Sequence, residues 1–279
     1  MPASITKLLI ATALFAASQL SLANLLINPT RVQIEPGDRS ADVTLINTSE
    51  ITNTYRLEWA EKRAKSEGGY EDLNETAAAS FPTASQMLRF SPRQVTLKPG
   101  ERQTIKLMVR RPQGLQDGEY RSHLLFKALP PNREENQQLD SAATAINIVL
   151  SFAIPVVVRQ GNLQYQLGID NAAIEYNPSQ KTGAIEVDLS RSGIHSVTGN
   201  MTAYWTPAGG KEQAIAKLSD YNFWVETTKA KARLQWTGTD FALTDGKLRV
   251  VYEGSKQFRG QTLFDKTFSI NRSMIKVIN

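Results

Sequence analysis

The chain has 279 residues, 32 Lys and Arg against 27 Asp and Glu, a formal charge of +5 and no cysteine. The missing cysteine excludes disulfides, thiolate metal centres and cysteine nucleophiles, and the length suggests two domains, each able to bury its own core. Basic and acidic residues are interspersed, as in EKRAKSEGGYEDLNE (61–75), and no basic run is interleaved with aromatics, which argues against a nucleic-acid partner.

In chain order, MPASITK followed by the apolar run LLIATALFAA and by Ser21-Leu22-Ala23 reads as a signal peptide over residues 1–23, so an exported protein is expected. No later run is apolar enough to span a membrane. Arg31–Ile34 alternates into the turn Glu35-Pro36-Gly37-Asp38, and Ala41–Asn47 alternates again. Tyr55–Ala60 predicts a strand, and 61–85 a polar loop region. Met87–Phe90 and Val95–Leu97 lead to the turn Lys98-Pro99-Gly100-Glu101, then to strands over Thr104–Val109 and Glu119–Leu129. Short strands punctuated by Pro-Gly turns predict an all-β sandwich over residues 24–159. After a hinge at 160–161 the pattern restarts. Strands are predicted over Leu163–Ile169, Ala184–Leu189, Val197–Trp205, Ala232–Trp236, Leu248–Tyr252 and Thr262–Ile270, giving a second β-domain over 160–279.

The stretch 144–159, TAINIVLSFAIPVVVR, stands apart. Ile146, Ile148, Leu150, Phe152, Ile154, Val156 and Val158 alternate along one face of a predicted strand about twice the usual length of ~5–6 residues. It contains Pro155, which a central strand should not carry. The end from Ile154 to Val158 is expected to pack in its own domain. For Ile146–Leu150, beside a polar loop, what covers the apolar face stays open at this point.

Catalytic constellations are thin. His123 and His195 are the only histidines, and neither stands in a metal-binding spacing. No nucleophile elbow and no phosphate-cradling glycine motif occurs. Core packing accounts for Trp59, Trp205, Trp224 and Trp236.

The stretches NPTRVQIEPGD, LRFSPRQVTLKPGERQTIKLMVRR, GEYRSHLLFKALPP and 144–159 together resemble the periplasmic chaperones of chaperone–usher pilus assembly. LSRSGIHSVTGN (189–200) resembles the archaic, or alternate, branch. The resemblance implies two immunoglobulin-like domains arranged as a boomerang around an interdomain cleft. It implies a periplasmic, non-enzymatic chaperone without cofactor, metal or ATP. Its partners would be pilus subunits and an outer-membrane usher, with no membrane insertion. Strand 144–158 would be lent to a subunit lacking its last strand, with Ile146, Ile148, Leu150 and Phe152 as plugs. Arg31 would hold the subunit's C-terminal carboxylate. Better-known members carry a second cation, a Lys, on the donated strand. Pro155 stands there, leaving Arg89 and Arg121 as candidates. Glu119, Arg159 and Glu253 match an interdomain salt bridge. The rival readings are a cell-surface structural subunit or adhesin, for which Asn24–Asn28 is too short a donor extension, and an exported enzyme or carbohydrate-binding module, for which no converging site residues appear.

Overall fold

A computed structural model describes residues 25–130, 150–238 and 241–278. The predicted signal segment and the plugs Ile146 and Ile148 therefore lie outside the described residues.

The strands are β1 (Leu25–Asn28), β2 (Val32–Ile34), β3 (Ser40–Asn47), β4 (Asn53–Ala60), β5 (Lys62–Ala64), β6 (Tyr70–Asp72), β7 (Leu88–Ser91), β8 (Gln94–Leu97), β9 (Arg102–Val109), β10 (Gly118–Leu129) and β11 (Ser151–Gln160). Then follow β12 (Gln166–Asn177), β13 (Thr182–Ser192), β14 (Val197–Pro207), β15 (Gln213–Phe223), β16 (Lys229–Trp236), β17 (Gly246–Gly254), β18 (Thr262–Ile270) and β19 (Lys276–Val277). The protein is all-β apart from short helical turns such as α1 (Glu75–Ala79), which Asn74 caps by accepting from the Ala77 N–H at 2.9 Å.

The first domain is a sandwich of two sheets, ordered β1-β3-β9-β7 and β2-β11-β10-β4-β8. Both anticipated Pro-Gly turns form. The Asp38 N–H donates to Glu35 O and the Glu101 N–H to Lys98 O, each at 3.0 Å. At the second turn Gly100 takes φ +72°, which suits a residue without Cβ. The inward rows interdigitate as period-two strands must. Val43 and Leu45, Ile105 and Leu107, Leu124 and Phe126, and Ile154, Val156 and Val158 are all buried in one core.

In the second domain one curled sheet, ordered β18-β17-β14-β15-β16-β13-β12-β19, wraps a core containing Trp205, Tyr252 and Phe258. Its ends approach each other, since Lys266 Nζ on β18 donates to Ile169 O on β12 at 2.7 Å. Strands β15 and β16 pair only at Ala216–Trp236 and Lys217–Gln235. Past Phe223 the chain leaves the sheet in a tight turn, in which the Thr227 hydroxyl donates to Trp224 O at 3.0 Å.

Two departures from the sequence reading matter here. The expected polar loop at 61–85 contains a hairpin, β5 with β6, turning at Gly68 and Gly69, both with positive φ. Trp224 sits in neither domain core; it forms a small buried cluster with Ala64 and Val157.

Candidate functional site

The site grows from the parity of β10 and β11. Their even residues fill the first core, so the odd ones stand on the opposite face: Glu119, Arg121 and His123 on β10, paired across the ladder with Arg159, Val157 and Pro155. Outward polar residues of a sandwich are normally solvated, yet Glu119, Arg121, His123 and Arg159 are all buried. The β5–β6 hairpin and the 224–228 turn of the second domain close over Arg121 and His123, and Ser196 and Phe258 close over Glu119 and Arg159. The Ala64 N–H donates to Glu226 Oε1 at 2.8 Å, and the Lys231 N–H to Ser66 O at 3.1 Å.

The joint between the domains is polar. Arg159 Nη2 donates to Ser196 O at 2.6 Å and Nε to Glu119 at 3.3 Å. Glu119 Oε2 accepts from the Ser196 N–H at 3.0 Å and the Ser196 hydroxyl at 2.7 Å. Burial works to raise the Glu119 pKa, but Arg31, Arg159 and Ser196 outweigh it and hold the carboxyl below its ordinary value. His195 Nδ1 accepts from the Gln164 N–H at 3.1 Å, which leaves Nε2 to donate to Gln160 O at 3.1 Å. At the same connection Gly161 has φ +78°, and a Cβ there would meet Asp117 Cγ at 2.2 Å. Glu253 is not part of this joint. It is exposed on β17, opposite Asn200 on β14, because its strand parity turns it to solvent. Among the described residues the ion pair that spans the domains is Arg121 with Glu226, where Arg121 Nη1 donates to Oε2 at 3.2 Å and Nη2 to Oε1.

Arg31 immediately precedes β2, and its side chain enters the same cleft. Its Nη2 donates to Gln33 Oε1 at 3.0 Å and to Ser196 Oγ at 3.1 Å, and its Nη1 to Asn222 Oδ1. The guanidinium carbon lies 4.4 Å from the Trp224 ring centroid, and that of Arg121 lies 4.1 Å from the same centroid. Both distances suit cation–π contact. All of Arg31's hydrogen-bond partners are neutral, and among the described residues it makes no ion pair. Burial pulls its pKa down to about 10, with Glu119 opposing and Arg159 and Arg121 assisting, so it stays charged at neutral pH.

The candidate second anchors separate. Arg121 shares the Trp224 ring with Arg31. Arg89 does not join them: β7 belongs to the opposite sheet, and Arg89 is exposed there, donating to Gln86 O at 3.1 Å and Leu88 O at 2.8 Å. Of the described plugs, Leu150 is 42% exposed, whereas Phe152 is half-buried against its own core. Burial along the row thus changes between the two. The outer edge of β11 is covered only at Val156–Val158, by the parallel strand β2. Among the described residues, no strand pairs with that edge from Ser151 to Pro155.

Comparison with known proteins shows the family. The family model described as "Pili and flagellar-assembly chaperone, PapD N-terminal domain" matches residues 24–164, over half of the chain. The chain belongs to the pilus-assembly chaperones. No curated protein sequence matches this chaperone. Solved structures similar to it include the YadV chaperone, at 13% identity and TM-score 0.44, covering 88% of this chain and 100% of that one. Another is the CsuC–CsuE chaperone–tip adhesion subunit pre-assembly complex from archaic chaperone–usher Csu pili of Acinetobacter baumannii, at 12% identity and TM-score 0.43, covering 91% and 99%. A third is Salmonella enterica SafA pilin in complex with the SafB chaperone, at 13% identity and TM-score 0.44, covering 88% and 96%.

Sequence reasoning missed Glu226, Asn222 and Ser196 as cleft residues. The only local signal was the Gly-Gly pair at 68–69, which marks a hairpin and hence the cover over the cleft.

Proposed function

We propose that this chaperone works in the periplasm by strand donation: it lends residues 144–155 to a pilus subunit whose sandwich lacks its last strand, and passes the subunit to an outer-membrane usher. One observation carries the reading. The free edge of β11 begins where β2 ends its pairing, and Arg31, a buried cation without an ion pair, stands at that point. A subunit strand whose terminal carboxylate stops at Arg31 would run along β11 from Pro155 back towards residue 144. Its backbone would pair with an edge that is otherwise an aggregation risk. The guanidinium would fix its register through a charge-assisted, bidentate contact. Every second side chain of the donated strand then faces the subunit's groove, which gives Ile146, Ile148 and Leu150 their role as plugs. Each would contribute about 1.5–3 kcal/mol. Phe152 closes the chaperone's own core instead. The work needs binding and no bond-making chemistry, and the subunit's own folding energy drives its capture and later exchange.

The test is co-expression with a pilin-like subunit and recovery of the complex from periplasm on tagged chaperone. Arg31→Ala removes a contact of about 1.5–3 kcal/mol, so recovery should fall about ten- to a hundredfold. Arg31→Lys should recover part of it, since an ammonium lacks the planar fork. Recovery of Arg31→Ala equal to wild type, at an unchanged melting temperature, would place the anchor elsewhere.

A further inference from the structure

The two cleft arginines are held by one short segment of the second domain. Asn222 accepts from Arg31, Trp224 lies against both guanidiniums, and Glu226 accepts twice from Arg121 and once from the Ala64 N–H. The base of this segment is tied down, since Arg191 Nη1 donates to Val225 O at 3.0 Å and the Arg191 N–H to Thr228 O at 2.9 Å. The covered face is poorly satisfied. Arg31 Nε, Arg121 Nε, Glu119 Oε1 and both ring nitrogens of His123 are buried without a hydrogen-bond partner among the described residues. Unpaired buried polar atoms cost stability, and their gathering in one place marks a contact built for something other than tight closure. The ion pairing points the same way: Arg121 pairs with Glu226 and Arg159 with Glu119 and Glu35, whereas Arg31 makes no ion pair among the described residues.

We propose that the turn Asn222–Glu226 is an internal plug, with the Glu226 carboxylate standing on Arg121 where the carboxylate of an incoming chain would bind. This rests on the reading of Arg31 as carboxylate anchor and adds regulation to it. The free chaperone hides its cations behind a stand-in of the same chemistry, an incoming C-terminus displaces Glu226 as it arrives, and Arg121 becomes the second anchor in place of the absent strand lysine. Small anions bind poorly, because they bring too little to replace the turn. A carboxylate borne on a strand that also pairs with β11 does replace it.

The probe is a labelled peptide of about ten residues, valine alternating with threonine or lysine, ending in a free carboxylate; the control is the same peptide ending in a carboxamide. Full-length mature chaperone should bind the free acid more tightly than the amide. Glu226→Gln should bind the acid about tenfold more tightly still and the amide no differently, and the gain should vanish in Glu226→Gln combined with Arg121→Ala. In the wild-type chaperone the acid, and not the amide, should speed hydrogen exchange of the Ala64 N–H, which Glu226 otherwise holds. Equal binding of acid and amide by wild type, or binding of neither, overturns the anchor reading itself. A wild-type preference for the acid that Glu226→Gln does not increase overturns the plug alone and leaves Arg121–Glu226 a strut between domains. If Glu226→Gln fails to melt like wild type, the Ala64 exchange decides: no acceleration at saturating acid overturns the proposal.

Discussion

His123 is 1% exposed, has no hydrogen-bond partner on either ring nitrogen among the described residues, and meets Tyr70 edge-on at 4.7 Å. Burial, then Arg121 and Lys62, push its pKa down to about 3, with Asp72 opposing. A histidine whose folded pKa lies below its unfolded value of about 6.5 keeps the fold stable while both states are neutral. As pH drops below about 6.5 the unfolded chain takes the proton and the folded one does not, so stability falls at up to about 1.4 kcal/mol per pH unit until about pH 3. Between pH 6.5 and 5 the loss should be about 1–2 kcal/mol. His123→Phe should retain the contact with Tyr70, melt no lower than wild type at pH 7, and lose that share of the pH dependence. Chemical denaturation at pH 7, 6 and 5 checks it; parallel curves for the two proteins would mean that His123 is solvated. The sequence placed His123 on a strand and no further, because what buries it is a hairpin some fifty residues away and a turn of the other domain.

Burial changes along β11. Ile154, Val156 and Val158 are buried in the first domain, while Leu150 is exposed at its start. Val156→Ala should therefore cost about 2–3 kcal/mol of the chaperone's own stability. Ile148→Asp should leave its thermal transition unchanged and abolish subunit recovery. A lowered melting temperature for Ile148→Asp would assign that residue to the chaperone's own core. Strands with clean two-residue periods, such as β3 and β9, were legible because burial on one face writes itself into every second residue. Strand β15 was missed. Its sequence, QAIAKLSDYNF, buries only three residues, Ile215, Ala216 and Phe223, which keep no two-residue period, and Asn222 beside Phe223 turns to the cleft. The β5–β6 hairpin was missed because its strands are three residues each and polar. Trp224 reads in the sequence as a core residue, since hydrophobicity says that a side chain is buried but not against what.

At the scale of the whole molecule, Arg159 ties the two domains. It is fully buried between Glu119, Ser196 O and, at 5.3 Å, the ring of Phe258 in the second core. Removing one partner of a buried pair strands the other, so Arg159→Ala should destabilise the protein by about 3–5 kcal/mol. Glu253→Gln, at an exposed position, should change stability by no more than about 0.5 kcal/mol. Scanning calorimetry separates the two, and equal effects would mean that the joint is held elsewhere. Glu119 and Arg159 were legible through family resemblance and Arg121 as a spare cation. Glu226, 105 residues from Arg121, left no local trace, since a glutamate in a turn reads as solvated. The central claim is that the free edge of β11 is where a pilus subunit pairs, in register from Arg31. Hydrogen exchange of the chaperone, free and in complex with a co-expressed subunit, tests it most directly. Amides of residues 144–154 should become protected by about a hundredfold or more in the complex, and Arg31→Ala should remove most of that protection. Unchanged exchange along 144–154, with new protection on another edge such as β1 or β18, would contradict it.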